Sequence, residues 1–547
     1  MMGEPGETSG GHEFLRTSVS VNDHLRNLAF VFALTCAFWI VHAVWLARDT
    51  KPPLWDMAAH QSYALNYLPE FHSDLDPWRR SWNYPPFVHV VIASAFRLFH
   101  PGPDIASFSN IPATLLLFWS IFELARMLAG TGPARWACIL TALIPYMFWI
   151  SRETILDYWL AAWVAAGLVC LIKSRGFESE RASFLFGLVC ALGLLTKWLF
   201  LGFLAAPTAY VAVRGRIWRT SRQRINFAGA VLIGGGVAGI WYFPNLPEIF
   251  RFWKYNTGIG AMEGEPPVLS FQSLIYYLRL LEGYQLFALL FCIFLLSCFF
   301  VYRHRGMSEG KLWFLTIAGG YLAMTALRTK DPRFTLPLLG PMMVVAGVWI
   351  HSWGPGWKAR LVRAAIMALL CIQAYAVNFG IRWLPQEVLL AKGYQGSFRW
   401  DWNLYLQHYF HILDSAKEED WKLDAILDRI AADSRERRVS PDLAVVPDLP
   451  RLNSLNLQYY ARLRGMPSRV DHPQSAAEGI GSFGSWNYVL ITGKDQGIDW
   501  VTRQSLDMNQ IVLSEPRIFR PLGAYPLPNG DTARLFAIHR DAPGRRE

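Results

Sequence analysis

The segment Pro53-Leu54-Trp55-Asp56-Met57-Ala58-Ala59-His60 follows the first long apolar run of the chain, Leu28–Leu46. A run of this length is close to the ~20 residues that a helix needs to cross a bilayer. Asp56 is therefore predicted to lie just beyond a membrane helix, where hydrocarbon meets water. Ionisable groups at such depths mark substrate paths or catalytic centres, so the functional question is which groups Asp56 works with.

The composition places the chain among polytopic membrane proteins. Of 547 residues, 53% are hydrophobic and 17% charged, with a mean hydropathy of +0.20, whereas a soluble domain is about 25% charged. The net charge of +10 does not indicate nucleic-acid binding, because Lys and Arg concentrate in short linkers between apolar runs, as in membrane proteins. The seven Cys lie inside apolar runs, which predicts packing residues rather than disulfides or a zinc site.

The apolar runs predict about eleven transmembrane helices, with the N-terminus inside and the C-terminus outside. This count makes a hairpin of the run that contains Lys197, because the basic linkers on both sides of it then stay on the cytoplasmic face. The loop Arg328-Thr329-Lys330-Asp331-Pro332-Arg333 is basic yet falls outside, which an anionic ligand would explain. The predicted spans are Leu28–Leu46, Phe108–Leu128, Trp136–Ile150, Ile155–Ile172, two within Phe184–Val213, Phe227–Phe243, Tyr284–Tyr302, Leu312–Leu327, Phe334–Ile350 and Leu361–Val377.

The segments between and beside the spans divide the chain into three parts. Residues 1–26 are predicted as a disordered cytoplasmic tail, and residues 27–384 as the membrane domain, with a long first outer loop at 47–107. In that loop the run Phe87–Phe99 is short for a span, so it is predicted as a helix lying on the membrane; a short true span is the alternative. A second long outer loop is predicted at 244–283, between two spans.

The residues after about 385 predict a soluble α/β domain outside the membrane. The segment Trp421–Ala432 has apolar residues on one helical face, and short buried strands are predicted at 444–446, 488–491 and 535–538. This segment has no Gly-rich phosphate loop, no metal-ligand spacing and no nucleophile elbow. A lid or docking role is therefore favoured over a second active site.

The predicted topology brings carboxylates and cations to one face of the membrane. Asp56 and Asp157 arrive from separate loops, together with Lys197 and the basic loop 328–333. Carboxylates can deprotonate an acceptor, and cations can stabilise a departing phosphate. Each residue also has a simpler reading: Asp56 could cap a helix, Lys197 could snorkel to the interface, and the basic loop could bind lipid head groups.

Five short motifs, in order, resemble those of the multi-span GT-C glycosyltransferases, and within them the phospholipid carrier-dependent branch that includes protein O-mannosyltransferases and the aminoarabinose transferase of lipid A. The resemblance covers roughly residues 28 to 380. The resemblance rests on the order and spacing of the motifs, because each motif by itself is short. The motifs are Asp56, Tyr84-Pro85-Pro86, Arg152 to Asp157, Leu195-Thr196-Lys197 and Pro332-Arg333-Phe334-Thr335-Leu336-Pro337.

The resemblance implies transfer of a sugar from a polyprenyl-phosphate donor to an acceptor, with inversion. It makes Asp56 the general base and Asp157 a second acid that positions the acceptor or supports the base. Lys197 and Arg333 become candidates for the lipid phosphate. Met57 stands where many members have Glu. Further candidate site residues are Lys330, Arg328, Arg79, Arg80, His60, Arg152, Glu153 and Tyr84, the last standing where the aminoarabinose branch has Lys.

The predicted partners are therefore the lipid-linked sugar donor, membrane lipids and an acceptor that is a protein, a lipid or a glycan. No cofactor is predicted; Asp56 and His60, spaced i, i+4, are too few ligands to define a metal site. The alternative function is a transporter or flippase for a lipid-linked anion, or a catalytically inactive lipid-binding relative. Against the transporter stands the lack of an inverted repeat in the sequence.

Overall fold

The computed structural model describes residues 21–71, 76–304, 307–379, 415–473 and 475–539. Most of the predicted tail at 1–26 and the predicted boundary at 384 lie outside these residues. The first helix already begins at Val21, inside the segment predicted as tail. The helices up to residue 379 are α1 Val21–Leu46, α2 Trp55–Leu65, α3 Phe87–Leu98, α4 Pro103–Phe108, α5 Ile111–Ala129, α6 Thr131–Ala142, α7 Pro145–Arg152, α8 Leu156–Lys173, α9 Glu180–Leu194, α10 Phe200–Gly215, α11 Ser221–Met262, α12 Phe271–Leu280, α13 Phe287–His304, α14 Met307–Thr325, α15 Leu336–Ser352 and α16 Trp357–Phe379.

Six of the described helices or helix pairs are long and apolar enough to cross a membrane, or seven if the bent pair α6 and α7 is one span. Each of the eleven predicted segments contains a helix. Five of them do not hold a single helix that meets this criterion. They are the bent pair α6 and α7, which meet at 65°, the helices α9 and α10 on either side of Lys197, and the helices α13 and α14. The number of crossings therefore stays a prediction.

The centre of the membrane part is α15, which packs on α5, α6, α8 and α13. Its residues from Leu336 to Val348 are all buried, as expected of a helix that is apolar all round. The backbones of α15 and α6 approach so closely that a Cβ at Gly347 would stand 2.7 Å from the nitrogen of Ala137. Because α15 packs against four other helices, the loop at its N-terminus, which contains Arg333, is held in a fixed position.

The segment at 244–283, predicted as an outer loop, is helical for most of its length. α11 continues to Met262, through Pro244 and Pro247, and α12 occupies Phe271–Leu280. The prolines suggested a helix end because an interior proline removes one backbone hydrogen bond and clashes with the preceding turn. The structure tolerates both, so that α11 reaches 42 residues.

The described residues 415–473 and 475–539 form the sheet domain. Its five-stranded sheet has the strand order β2-β1-β3-β5-β4. β1 pairs in parallel with β2 and β3, whereas β5 is antiparallel to β3 and β4. Strands lie at the three segments where the sequence predicts them, and β2 and β4 were not predicted. The strands are β1 Leu443–Val445, β2 Val470–Asp471, β3 Tyr488–Thr492, β4 Phe519–Pro526 and β5 Thr532–Ile538, and the helices are α17 Leu423–Arg437, α18 Ser454–Leu463, α19 Asp499–Thr502 and α20 Ser505–Ser514.

Candidate active site

A cavity of about 1020 Å³ lies where the membrane part meets the sheet domain. Its walls come from the first outer loop, the start of α8, the turn between α9 and α10, the end of α11, the loop before α15 and the sheet domain. Pockets of this size and polarity are typical of ligand sites. Its charged and histidine residues are Asp56, His60, Asp157, Lys197, Glu263, Glu265, Arg279, Arg328, Lys330, Asp331, Arg333, Asp448 and His472.

Asp56 lies in the first turn of α2 and reaches into this cavity. The N-cap residue of α2 is Leu54, which makes no side-chain cap, so the reading of Asp56 as a helix cap is wrong. Its carboxylate instead accepts a hydrogen bond of 2.9 Å from Nη1 of Arg333. The side chain is 45% exposed. A carboxylate near a helix N-terminus is favoured by the helix dipole, and this one is also open to an incoming molecule.

Arg333 joins two carboxylates. Its Nε and Nη2 donate to Oδ2 of Asp331 at 2.9 and 2.5 Å, while its Nη1 binds Asp56. Oδ1 of Asp331 in turn accepts the backbone N–H of Arg333 at 2.8 Å and so starts the short 3₁₀ turn Pro332–Thr335. The rigid fork of donors on a guanidinium suits such a bridge.

Asp157 and Lys197 form a second ion pair in the cavity. Nζ of Lys197 donates to both carboxylate oxygens of Asp157, at 2.8 and 2.9 Å. The side chain of Asp157 is only 2% exposed and that of Lys197 15%. The ammonium also lies 5.0 Å from the ring centroid of Phe334, the residue after Arg333. The two cations are therefore neighbours, each held by a carboxylate.

The other two cations of the basic loop make mainly structural contacts. Nζ of Lys330 donates to the carbonyls of Thr325 and Leu327 at 2.5 and 2.6 Å, which caps the end of α14. Burial lowers the pKa of Lys330 to about 8. Arg328 donates through Nη1 to the carbonyl of Glu265 at 2.6 Å. Arg333 is thus the residue of this loop that contacts Asp56.

Glu265 fastens the basic loop to the segment after α11. Its Oε2 accepts the backbone N–H of Lys330 at 2.6 Å, and its main chain holds Arg328. Burial raises the pKa of the Glu265 carboxyl to about 9, so this side chain is protonated at neutral pH. This role was not predictable from the sequence, since nothing local marks Glu265 as a partner of a loop 65 residues away.

His60 and Tyr84, two of the further candidates, line the cavity. Nδ1 of His60 lies 2.9 Å from Nε2 of His89, and the rings of His60 and Tyr84 meet edge to face at 4.9 Å. Burial, together with the charges of Arg333 and Lys197, lowers the pKa of His60 to about 3. His60 is therefore a neutral hydrogen-bonding residue beside Asp56.

Four candidates lie apart from the cavity lining of the described chain. The guanidinium of Arg152 stacks over Trp45 at 3.8 Å and donates to the side chain of Asn378, so it ties α7 to α1 and α16. Glu153 is its neighbour at 3.9 Å. The other two are Arg79 and Arg80, in the first outer loop.

Several residues that line the cavity were not predicted from the sequence. Asp331 stands inside the quoted basic loop, where its neighbours Lys330 and Arg333 were a usable signal. Asp448 comes from the sheet domain, and nothing in its local sequence points to Asp56. Within the described residues no group of three or more His, Cys, Asp or Glu side chains is arranged to hold a metal ion.

Comparisons with known proteins agree with this architecture. Residues 83–241 match the model of the dolichyl-phosphate-mannose-protein mannosyltransferase family. A curated relative, undecaprenyl phosphate-alpha-4-amino-4-deoxy-L-arabinose arabinosyl transferase 2 of Proteus mirabilis, is 24% identical over 300 residues, which span 49% of this chain and 51% of the relative. The chain thus matches about half the length of that relative.

Two solved structures of ArnT from Cupriavidus metallidurans share the fold. The structure bound to undecaprenyl phosphate aligns with a TM-score of 0.58 at 13% identity, over 95% of this chain and 99% of that one. The apo structure aligns with a TM-score of 0.57 at 14% identity, over 96% and 100% of the two chains. The likeness therefore includes the sheet domain as well as the membrane part.

Proposed function

We propose that this chain, which resembles GT-C glycosyltransferases in sequence and fold, transfers a sugar from a polyprenyl-phosphate donor to an acceptor on the outer face of the membrane. The observation that carries the proposal is the pair of carboxylate–cation contacts in one cavity, Asp56 with Arg333 and Asp157 with Lys197. A base and a phosphate-binding group are what this reaction needs within reach of each other.

Asp56 is the proposed general base. Of the two aspartates it has the accessible carboxylate, 45% exposed against 2% for Asp157, and a base must reach the proton that it takes. One oxygen of Asp56 accepts the proton of the acceptor hydroxyl or amine. The acceptor atom then forms a bond to the anomeric carbon of the sugar.

The bond that breaks joins the anomeric carbon to the phosphate oxygen of the donor. Its electron pair leaves with the phosphate, whose charge grows as the bond lengthens. Arg333 and Lys197 are the proposed groups that stabilise this charge. Asp157 and Asp331 hold the two cations in place. Because a single displacement attacks opposite the leaving group, the configuration of the sugar inverts.

The test is an incubation of purified protein with a labelled polyprenyl-phosphate sugar and a crude acceptor fraction. Release of free polyprenyl phosphate is expected, whereas a transporter or an inactive relative leaves the donor intact. Asp56→Asn keeps the shape of the side chain and removes its basicity, so turnover should fall roughly 10²- to 10⁴-fold while donor binding persists.

The matched control is Asp76→Asn. Asp76 lies in the same outer loop, outside the cavity lining, and accepts the N–H of Trp78 at 3.2 Å, a bond that Asn can also accept. This variant should keep full activity. Near-normal transfer by Asp56→Asn at saturating donor and acceptor would remove Asp56 from the base role.

A further inference from the structure

The loop that leads into α2, the helix of Asp56, is held by the sheet domain as well as by the membrane helices. Residues 49–54 connect α1 to α2 and are bonded along their length to the segment after residue 414. Nζ of Lys51 donates to the carbonyl of Ser415 at 2.8 Å. The backbone N–H of Thr50 donates to the carbonyl of Lys417 at 3.1 Å. The backbone N–H of Lys417 returns a bond of 3.0 Å to Asp49.

The two prolines just before α2 are bonded in the same way. Nη1 of Arg451 donates to the carbonyl of Pro52, and Nδ2 of Asn456 donates to the carbonyl of Pro53. Both donors are buried, Asn456 completely. A buried carbonyl without a donor destabilises the folded state. The sheet domain therefore supplies the bonds that these carbonyls need.

α2 itself is bonded by one arginine of the sheet domain. Nη1 of Arg462 donates to the carbonyl and the hydroxyl of Ser62 at 2.6 and 3.0 Å. Its Nη2 donates to Oδ1 of Asn66 at 2.7 Å. At the other end of α2, Nε1 of Trp55 donates to the carbonyl of Asp448 at 3.3 Å. Both ends of the helix are thus attached to one body.

These bonds matter because no side chain caps the N-terminus of α2. Leu54 makes no side-chain cap, and Asp56 is only two residues further on. The direction in which its carboxylate points is therefore set by bonds from outside the helix. The same sheet domain contributes Asp448 and Ser454 to the cavity wall, so it also forms part of the cavity that Asp56 enters.

We propose that the sheet domain positions the catalytic base: Arg451, Asn456 and Arg462 fix α2 so that Asp56 meets the acceptor proton. The proposal rests on the proposed function, in which Asp56 is that base. Arg451, Asn456 and Arg462 are positioning residues, since they act through α2. A misplacement of about 1 Å at a reacting group can lower the rate about 10²-fold. Donor affinity should not change, because Arg333 and Lys197 belong to other elements.

The test compares Arg462→Ala with Arg464→Ala on the same helix. Arg464 bonds to Asp424 and Asp428 within the sheet domain and makes a matched control. We expect kcat of Arg462→Ala to fall roughly 10- to 100-fold with the KM for donor and the melting temperature nearly unchanged. Arg464→Ala should keep its kcat. Equal kcat values for the two variants, or a change confined to the donor KM, would overturn the proposal.

Two further measurements distinguish a failure of the positioning proposal from a failure of the proposed function. Arg462→Lys retains the charge but can reach only one of the two partners on α2, so it should recover part of the kcat lost in Arg462→Ala; no recovery in a folded protein counts against positioning. Asp56→Asn is measured in parallel. If the parent protein releases no polyprenyl phosphate, the proposed function fails. An active Asp56→Asn means that Asp56 is not the base, whereas an inactive Asp56→Asn beside a normal Arg462→Ala means that only the positioning proposal fails.

Discussion

Arg333 makes three side-chain hydrogen bonds to two carboxylates, and this explains why one cation can serve both the base and the phosphate. Its Nη1 keeps Asp56 in the cavity, while Asp331 holds its Nε and Nη2 from behind. The guanidinium is 17% exposed, which leaves one edge for a ligand. Lys cannot reproduce this geometry, because an ammonium is a point charge without a planar fork.

We therefore expect Arg333→Lys to lower kcat/KM for the donor roughly 10- to 100-fold, the usual effect of losing a charge-assisted phosphate contact worth about 1.5–3 kcal/mol. Steady-state kinetics with varied donor concentration measure it. Arg328→Lys is the control in the same loop. Arg328 donates to the Glu265 carbonyl, a contact that Lys can also make. Unchanged donor dependence in Arg333→Lys would show that the phosphate binds elsewhere.

At the level of elements, α11 is longer than a membrane crossing requires. Its 42 residues correspond to about 63 Å at 1.5 Å per residue, roughly twice the ~30 Å of a hydrocarbon core. The second half therefore continues past the membrane and brings Glu265 to the basic loop. Glu265 accepts the N–H of Lys330, so the end of α11 and the start of α15 are joined at the cavity.

The buried Glu265 carboxyl predicts a pH dependence of stability. Its folded pKa of about 9 lies above the ordinary value of 4.5, so the folded state binds more protons than the unfolded state between these values. Stability should then fall as pH rises from 5 to 8, by at most about 1.4 kcal/mol per pH unit. Below pH 8 the Lys330 ammonium, with a pKa of about 8, adds little.

Glu265→Gln should remove this slope, because the amide oxygen still accepts the N–H of Lys330 and does not titrate. The measurement is the melting temperature in detergent at pH 5, 6, 7 and 8. The difference between the variant and the parent protein should grow with pH in favour of the variant. Parallel curves for the two proteins would show that Glu265 does not titrate with folding.

For the whole molecule, the cavity is shared by the membrane part and the sheet domain, and this has a consequence for orientation. Asp56, Asp157 and Arg333 line the same cavity as Asp448 and His472 of the sheet domain. The carboxylates and the sheet domain must therefore be on the same side of the membrane. Because the basic linkers lie on the other side, we predict that this side is the outer one.

Cysteine labelling in intact cells tests this orientation. In a variant whose exposed Cys292 and Cys371 are replaced by Ser, Ser475→Cys in the sheet domain should react with a membrane-impermeant maleimide. Ser221→Cys, at the start of α11 beside a basic linker, should react only after lysis. The reverse pattern would contradict the predicted topology.

The positions of most helices were predictable from the sequence, since long apolar runs are local signals. The choice of Asp56 and Asp157 as candidate site residues was also predictable, since charges at the ends of such runs are local signals too. Asp56 was predictable because it follows the end of such a run, and Lys197 because it interrupts one at its centre. The strands of the sheet domain followed from the same kind of local pattern. The full length of α11 was not predictable from the sequence, because only packing decides whether a helix continues through Pro244.

The pairing of charges depended on the tertiary structure. Asp56 and Arg333 are separated by 277 residues, and no local pattern chooses between Arg333, Lys330 and Arg328 as the partner. Packing assigns Lys330 to the end of α14 and Arg333 to the cavity. The attachment of α2 to Arg462 was equally hidden, because a hydrogen bond between distant segments depends on where the folded chain places its donors.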